Sequence, residues 1–152
     1  MTQNNVGIYA SQISGHLYSG PYGAYDSLAT ATVGSGGVLS VTFSGIPAGY
    51  KHLQIRAIWR DNRSNSGNGS YADMTFNGDS GNNYAYHQLQ GYGSGVSSAG
   101  NTSYASIEVT RVADAGTGSN IFGATIIDVL DYASSSKIKT IRASGGYDNN
   151  GT

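Results

Sequence analysis

Hydrophobic and polar residues alternate along several short stretches of the chain, and glycine, asparagine and serine separate these stretches. In the clearest one, residues 51–60, every second position is apolar: Leu53, Ile55, Ala57 and Trp59. A period of two places such side chains on one face of a β-strand. We therefore predict a strand with one buried face in this stretch and, because Ile58 breaks the alternation, partial cover of the other face.

The same reasoning predicts further strands along the chain. They lie at residues 27–33, 39–43, 74–76, 84–89, 106–111, 121–131 and 137–143. Residues 121–131 are apolar on both faces, which predicts a central strand buried on two sides. Asn77-Gly78 predicts a tight hairpin turn between the strands before and after it. About eight short strands separated by turns are typical of an antiparallel β-sandwich or jelly roll, so we predict this all-β class.

Three segments do not fit the strand pattern. Residues 1–24 precede the strands and contain Gly20-Pro21 near their end, so we expect an extended N-terminal arm before a β-sandwich domain over residues 25–152. Residues 61–70 and 91–103 are almost free of hydrophobic residues and predict long loops. Loops of this length in a compact domain often carry function.

Composition excludes several classes of function. The chain has 152 residues, of which 11% are charged, and a formal net charge of −1. Nucleic-acid binding needs clustered Lys and Arg, so we expect no nucleic-acid partner. No apolar stretch approaches the ~18–20 residues of a transmembrane helix, and the N-terminus lacks a secretion signal, so we expect neither a membrane protein nor an exported precursor. The absence of cysteine excludes disulfides and zinc–thiolate sites.

Catalytic and metal-binding patterns are weak. No hydrolase or phosphate-loop motif occurs, and Asp128 and Asp131 would face opposite sides of a strand. Residues 77–82 (NGDSGN) carry oxygen ligands at alternating positions, as in a calcium loop, but a turn explains the same residues. We therefore expect a protein that is not an enzyme and has no cofactor or metal, with calcium in this turn as the alternative.

Five tyrosines lie near segments rich in glycine, serine and asparagine: Tyr71, Tyr84, Tyr86, Tyr92 and Tyr104. Rigid aromatic rings beside small polar groups are typical of binding surfaces and suit sugar stacking or protein docking. Alternatively, the rings fill the rim of the sandwich and keep their hydroxyls in water. If a glycan or receptor binds, Tyr92 and Tyr104 are the candidate contacts.

The N-terminal arm contains hydrophobic residues of its own. Those that we expect to attach it to a partner are Val6, Ile8, Tyr9, Ile13 and Leu17. The arm either covers the sheet of its own domain or docks on another subunit, as an added strand does. Because untethered termini are usually disordered, a hydrophobic arm favours a partner.

Several blocks of the sequence resemble a family of virion structural proteins of tailed phages, notably cyanophages and other marine phages. The blocks are residues 41–47 (VTFSGIP), 50–56 (YKHLQIR), 76–84 (FNGDSGNNY) and 126–132 (IIDVLDY). The resemblance covers roughly residues 25–150, and each block is a strand with a turn.

The resemblance implies a place in the phage particle and no catalytic activity. We expect a capsid-surface decoration or knob protein, similar to a head fibre, that attaches through residues 1–24 to the major capsid protein or to other virion subunits. A homo-oligomer is expected, of which a trimer is one form. The alternative is a tail or tail-fibre component that binds host surface glycan through Tyr92 and Tyr104.

The resemblance also implies at least one more hydrophobic strand after Asp148-Asn149, whereas this sequence ends at Thr152. An open sheet edge invites pairing with another subunit unless something covers it. We expect the arm of a neighbouring copy to cover this edge.

Overall fold

The computed structural model describes residues 25–65 and 69–148. The chain divides into two compact units, Met1–Ile46 and Pro47–Thr152. The described residues contain seven strands in antiparallel sheets and one 3₁₀ turn, Ala115–Thr117. The predicted all-β antiparallel class is therefore confirmed, while the sandwich or jelly-roll arrangement stays a prediction. The predicted arm, residues 1–24, lies outside the described residues.

Within the first unit, residues 25–46 contain no strand. The prediction of strands at residues 27–33 and 39–43 is therefore wrong. The side chains of Leu39 and Val41 are exposed. Alternation alone does not make a strand, because the backbone groups of a strand need a neighbouring strand with which to pair. No such pairing occurs among these residues.

The strands described all belong to the second unit. They are β1 (Leu53–Trp59), β2 (Ser70–Met74), β3 (Tyr84–Tyr92), β4 (Gly95–Tyr104), β5 (Ile107–Val112), β6 (Gly123–Leu130) and β7 (Thr140–Gly146). They form a three-stranded sheet in the order β1-β6-β7 and two pairs, β2-β5 and β3-β4. None of the described segments is a helix with the length and hydropathy that a membrane crossing requires.

Strand β6 is central in its sheet, as the sequence predicts for residues 121–131. Ile127 lies opposite Ile55 of β1 and Ala143 of β7, and it is 2% exposed. On the other face of β6, however, Ile126 and Leu130 are exposed. The prediction of burial on both faces is therefore wrong, because the described residues cover one face of this strand only.

The buried core lies where β5 packs against the inner face of the three-stranded sheet. Its fully buried apolar residues are Val112, Ala113, Ile127 and Val129. Gly123 permits the close approach of β7, since a Cβ at this position would lie 3.2 Å from the carbonyl oxygen of Gly146. Four buried apolar residues make a small core for the part of the chain that the structure describes.

Two predictions about the strands that flank turns need correction. Asn77 and Gly78 have the positive φ values expected of a tight turn, 53° and 71°. Strand β2 nevertheless pairs with β5 instead of β3, so the predicted hairpin is wrong. The polar residues of this turn bond to one another, and the chain passes there from the β2-β5 pair to the β3-β4 pair. The predicted strand 137–143 begins at Thr140, and Ile138 before it is 97% exposed.

The prediction of a loop at residues 91–103 is also wrong. Strands β3 and β4 form a hairpin around Gly93-Ser94, in which Tyr92 lies opposite Gly95. Gly93 has a φ of 53°, as the first central residue of a type II′ turn requires. The small residues of β4 pair through their backbone, so no hydrophobic pattern marks the strand. The other predicted loop is confirmed at residues 61–65; residues 66–68 lie outside the described residues.

Candidate interaction surfaces

One candidate surface is the face of the three-stranded sheet opposite the core, here called the outer face. Ile58 of β1 lies opposite Ala124 of β6, and Arg56 lies opposite Ile126. Ile58 is 80% exposed and Ile126 46% exposed. Together with Ser144 these residues line a shallow depression. The outer face therefore presents an apolar patch on a regular sheet.

A polar row borders this patch. Asp128 of β6 accepts a hydrogen bond from Gln54 Nε2 at 2.8 Å and from Arg142 Nη2 at 2.9 Å. These two bonds, the Gln54 bond first, hold the pKa of the Asp128 carboxyl below its usual range. Each bond joins neighbouring strands, so the row links β1, β6 and β7 across the outer face.

Asp131 belongs to a separate cluster. It follows β6 with a φ of 49°, and its carboxylate lies 2.7 Å from Lys137 Nζ, which lowers its pKa. Its backbone N–H donates to His52 Nδ1 at 3.0 Å. Asp128 and Asp131 therefore have different partners and do not form a carboxylate pair.

The β3–β4 hairpin meets the β2–β5 pair through polar and aromatic side chains. Arg111 of β5 donates to Gln90 Oε1 at 3.0 Å and to the hydroxyl of Tyr71 at 2.8 Å. Tyr86 and Tyr104 contact edge to face, with ring centroids 5.8 Å apart. Burial, together with a hydrogen bond to Glu108, raises the pKa of Tyr86 to about 12. These contacts fix β3 on the neighbouring sheet.

Of the five tyrosines near polar segments, four make intramolecular contacts: Tyr71, Tyr84, Tyr86 and Tyr104. Besides Tyr71 and Tyr86, the hydroxyl of Tyr84 donates to the carbonyl of Asp79 at 3.1 Å and accepts from the backbone N–H of Phe76 at 2.9 Å. These four side chains contact their own chain, but the hydroxyls of Tyr71 and Tyr84 bond to protein groups, whereas the rim alternative keeps them in water.

The two candidate glycan contacts lie at opposite ends of the hairpin. Tyr92 lies opposite Gly95 beside the turn, whereas Tyr104 lies opposite Tyr84 at the other end. Eight residues of strand separate these ends, which corresponds to ~25 Å. Tyr92 is 64% exposed and Tyr104 38% exposed. The structure therefore does not bring them together, and one sugar ring cannot contact both.

The hairpin has an exposed side of its own, formed largely by β4. Every residue from Ser98 to Tyr104 is exposed, and so are Val96 and Leu89, which is 81% exposed. Residues 80–107 contain no Asp, Glu, Lys or Arg. This second surface is therefore uncharged, in contrast to the outer face of the three-stranded sheet.

Asp114 is a structural residue that the sequence analysis missed. Its side chain is fully buried and accepts hydrogen bonds from the backbone N–H groups of Asn65 at 2.9 Å, Gly116 at 2.8 Å and Thr117 at 3.1 Å. It thereby ties the loop after β1 to the 3₁₀ turn. The spacing of Asp114 and Thr117 is that of a capping box, which is the signal that could have identified it.

The turn at residues 77–82 uses its carboxylate internally. Asp79 Oδ1 accepts from the backbone N–H of Gly81 at 2.9 Å and from Asn83 Nδ2 at 3.0 Å. Among residues 25–65 and 69–148, no group of three or more His, Asp or Glu side chains could hold a metal ion. The Asp79 carboxylate therefore bonds within its own turn.

The five predicted arm contacts, Val6, Ile8, Tyr9, Ile13 and Leu17, lie outside the described residues. Comparison of the chain with protein-family models, with curated proteins and with solved structures found no match.

Proposed function

We propose that this chain is a non-enzymatic structural protein of a tailed-phage virion, a decoration or knob protein of the capsid surface that attaches through residues 1–24. The observation that carries the proposal is the contrast between core and surface in the described part of the chain. Its core has four fully buried apolar residues, while Ile58, Leu89 and Val96 are each about 80% exposed on regular strands.

This contrast supports a role in an assembly. Single exposed apolar residues are ordinary on protein surfaces, but an apolar patch on a rigid sheet marks a contact site more often. Ile58, Ala124 and Ile126 form such a patch. A protein that functions among neighbouring subunits can leave its apolar sheet faces to be covered by them.

The ionisable groups also support a structural role. A general acid or base works best with a pKa near the working pH. The carboxyl pKa values of Asp128 and Asp131 are shifted down by basic and amide partners. That of Asp61 is also lowered, since hydrogen bonds from Arg63 and Ser70 outweigh the raising effect of burial. These downward shifts move the three carboxyl pKa values further from neutral pH and stabilise the charged carboxylates.

Cryo-electron microscopy of the virion that contains this chain tests the proposal. We expect density for the second unit on the head, with residues 1–24 running onto the shell. Density at the tail would replace this proposal with the tail-component alternative. Absence of the chain from purified particles would contradict both.

The role of the arm has a separate test. Ile13→Asp removes a hydrophobic contact worth ~1.5–3 kcal/mol when fully buried, so occupancy on particles should fall about tenfold or more. Gln12→Asp adds the same charge at the neighbouring polar position and should leave occupancy unchanged. Equal occupancy for both variants would contradict attachment through Ile13.

The alternative, a tail component that binds host glycan, is favoured by one observation. The ring of Tyr92 is 64% exposed beside the turn Gly93-Ser94, where a sugar face could stack on it. Tyr92→Ala should then abolish adsorption to host cells, whereas Tyr92→Phe, which keeps the ring, should retain it. Unchanged adsorption of Tyr92→Ala would contradict this role.

A further inference from the structure

Strands β3 and β4 are held in the molecule in different ways. The inner side chains of β3 reach the β2–β5 pair, where Gln90 bonds to Arg111 and Tyr86 to Glu108. Strand β4 has β3 as its one strand partner among the described residues, and from Ser98 to Tyr104 it is exposed throughout. One edge of β4 is therefore unpaired within the described part of the chain.

The backbone groups at this edge follow from the register of the hairpin. Tyr92 and Gly95 flank a two-residue turn and form the first pair of the ladder. In an antiparallel ladder, hydrogen-bonded pairs alternate with pairs whose N–H and C=O groups point away from the partner. Counting from the turn, the groups of Val96, Ser98 and Gly100 point outward, toward the free edge.

Within the described residues, this edge lacks the features that prevent edge-to-edge pairing. Natural proteins protect free edges with charged residues, proline, bulges or a covering segment. Residues 95–104 contain neither a charge nor a proline, and the irregularity in the ladder lies at the far end, between Tyr84 and Tyr86. Between Val96 and Gly100 the edge is regular, and no strand of the described residues pairs with it.

We propose that β4 pairs with β4 of a second copy of this chain, antiparallel and about a two-fold axis at Ser98. Ser98 then lies opposite Ser98 of the second copy, and Val96 lies opposite its Gly100. The outward groups of these three residues exchange about six backbone hydrogen bonds across the axis. The two hairpins together form one four-stranded sheet.

A second copy matches this edge better than an unrelated strand does. A two-fold axis makes each side-chain contact between identical strands occur twice, so a favourable contact such as that of Val96 with Gly100 counts on both sides of the axis. The charge-free residues 80–107 also meet charge-free residues of the second copy, so no charge loses water on pairing.

The side chains fit this register. A Cβ at Gly100 would lie 2.8 Å from the carbonyl oxygen of Tyr86 and 2.9 Å from the ring of His87, so the imidazole lies over Gly100. In the proposed sheet, Val96 comes beside Gly100 of the second copy and against that imidazole. The pairing would therefore cover Val96, which is 79% exposed in the single chain.

This inference goes beyond the virion role and does not depend on it, since it concerns the protein alone in solution. A contact of one strand edge and a few side chains is small, so we expect a dimer that dissociates in the micromolar range or above.

Sedimentation of the purified chain over a wide concentration range tests the proposal. We expect a monomer–dimer equilibrium. Ser98→Lys places two like charges directly opposite each other and should raise the dissociation constant about a hundredfold. Ser135→Lys adds the same charge in an exposed turn away from the hairpin and should leave the equilibrium unchanged. A wild-type monomer at every concentration, a trimer, or a Ser98→Lys variant that dimerises normally would overturn the proposal.

Hydrogen exchange on the wild type tests the same pairing without a variant that could misfold. The amides of Val96, Ser98 and Gly100 should become protected as the protein concentration rises. Those of Ser97 and Ala99, which point toward β3, should keep the same protection at all concentrations and serve as the internal control. Equal exchange of the Ser98 amide at low and high concentration would overturn the proposal.

Discussion

The three-stranded sheet and the β3–β4 hairpin are both antiparallel, but different parts of the chain hold them together. In the sheet, side chains of β6 alternate between the core and the outer face, and Ile127 and Val129 are 2% exposed. In the hairpin, β4 buries none of its side chains fully, and its small residues pair with β3 through the backbone.

The difference indicates that the sheet stabilises the fold, whereas the hairpin is available for association. Burial of apolar side chains is the dominant favourable term in folding, so the sheet contributes most of the stability of the second unit. A two-stranded hairpin is marginally stable alone, and here it depends on the contacts of β3 with the β2–β5 pair. The hairpin therefore remains free to offer its outer edge to a neighbour.

The largest expected effect is on the core side of β6. Ile127→Ala should lower the free energy of unfolding by ~3 kcal/mol or more, because it leaves a cavity in a buried site. Ile126→Ala removes the same atoms from the exposed face one residue earlier and should cost less than about 1 kcal/mol. Urea denaturation of both variants measures the contrast. Equal losses would contradict the assignment of the two faces of β6.

The next effect concerns the loop after β1. Asp114→Ala removes the buried acceptor of three backbone N–H groups, of which that of Thr117 is itself buried, and this should cost ~2 kcal/mol. Asp73→Ala removes an exposed carboxylate that accepts only a long bond from the Ser106 hydroxyl and should cost less than about 0.5 kcal/mol. Thermal unfolding of both variants provides the measurement. A melting temperature unchanged by Asp114→Ala would exclude a stabilising role for the bonds of Asp114 to the loop after β1 and to the 3₁₀ turn.

The comparison of sheet and hairpin also explains which strands could be predicted from the sequence. Strand β1 was predicted from its apolar alternation, since burial of one face selects side chains with a period of two. Strand β6 was predicted from a short run with apolar residues on both faces. Strand β4 was missed, because pairing through the backbone leaves no hydrophobic pattern. Conversely, Leu39 and Val41 alternate without forming a strand, since alternation does not supply a partner.

The candidate sites were predictable to a similar extent. Tyrosines near glycine-rich segments could be identified as a set, but only the register of the hairpin shows that Tyr92 and Tyr104 lie at opposite ends. The outer face was missed because residues 121–131 carry apolar side chains on both faces of the strand, and the sequence alone does not show which face a neighbouring strand covers. Asp114 was missed because its burial depends on the distant loop that contains Asn65.

A smaller effect should appear at high pH where the hairpin meets β5. The pKa of Tyr86 is about 12 in the folded protein, above the ordinary value near 10, so folding favours the protonated hydroxyl. Its contribution is fully present below about pH 10 and is lost as the pH rises toward 12. Urea denaturation at a series of pH values should show a shallower decline in this window for Tyr86→Phe than for the wild type. Identical slopes would show that the Tyr86 hydroxyl is not coupled to folding.

The smallest effect is expected at the free edge of the hairpin. Val96 is 79% exposed in the single chain, so Val96→Ala should change the stability of the dilute monomer by less than about 0.5 kcal/mol. Val129→Ala, the same change at a position that is 2% exposed, is the matched control and should cost severalfold more. Denaturation must be followed at low protein concentration, because association through β4 would add stability that Val96→Ala also removes. A large loss in the dilute monomer would mean that Val96 packs within its own chain, which would exclude its proposed contact with Gly100 of a second copy.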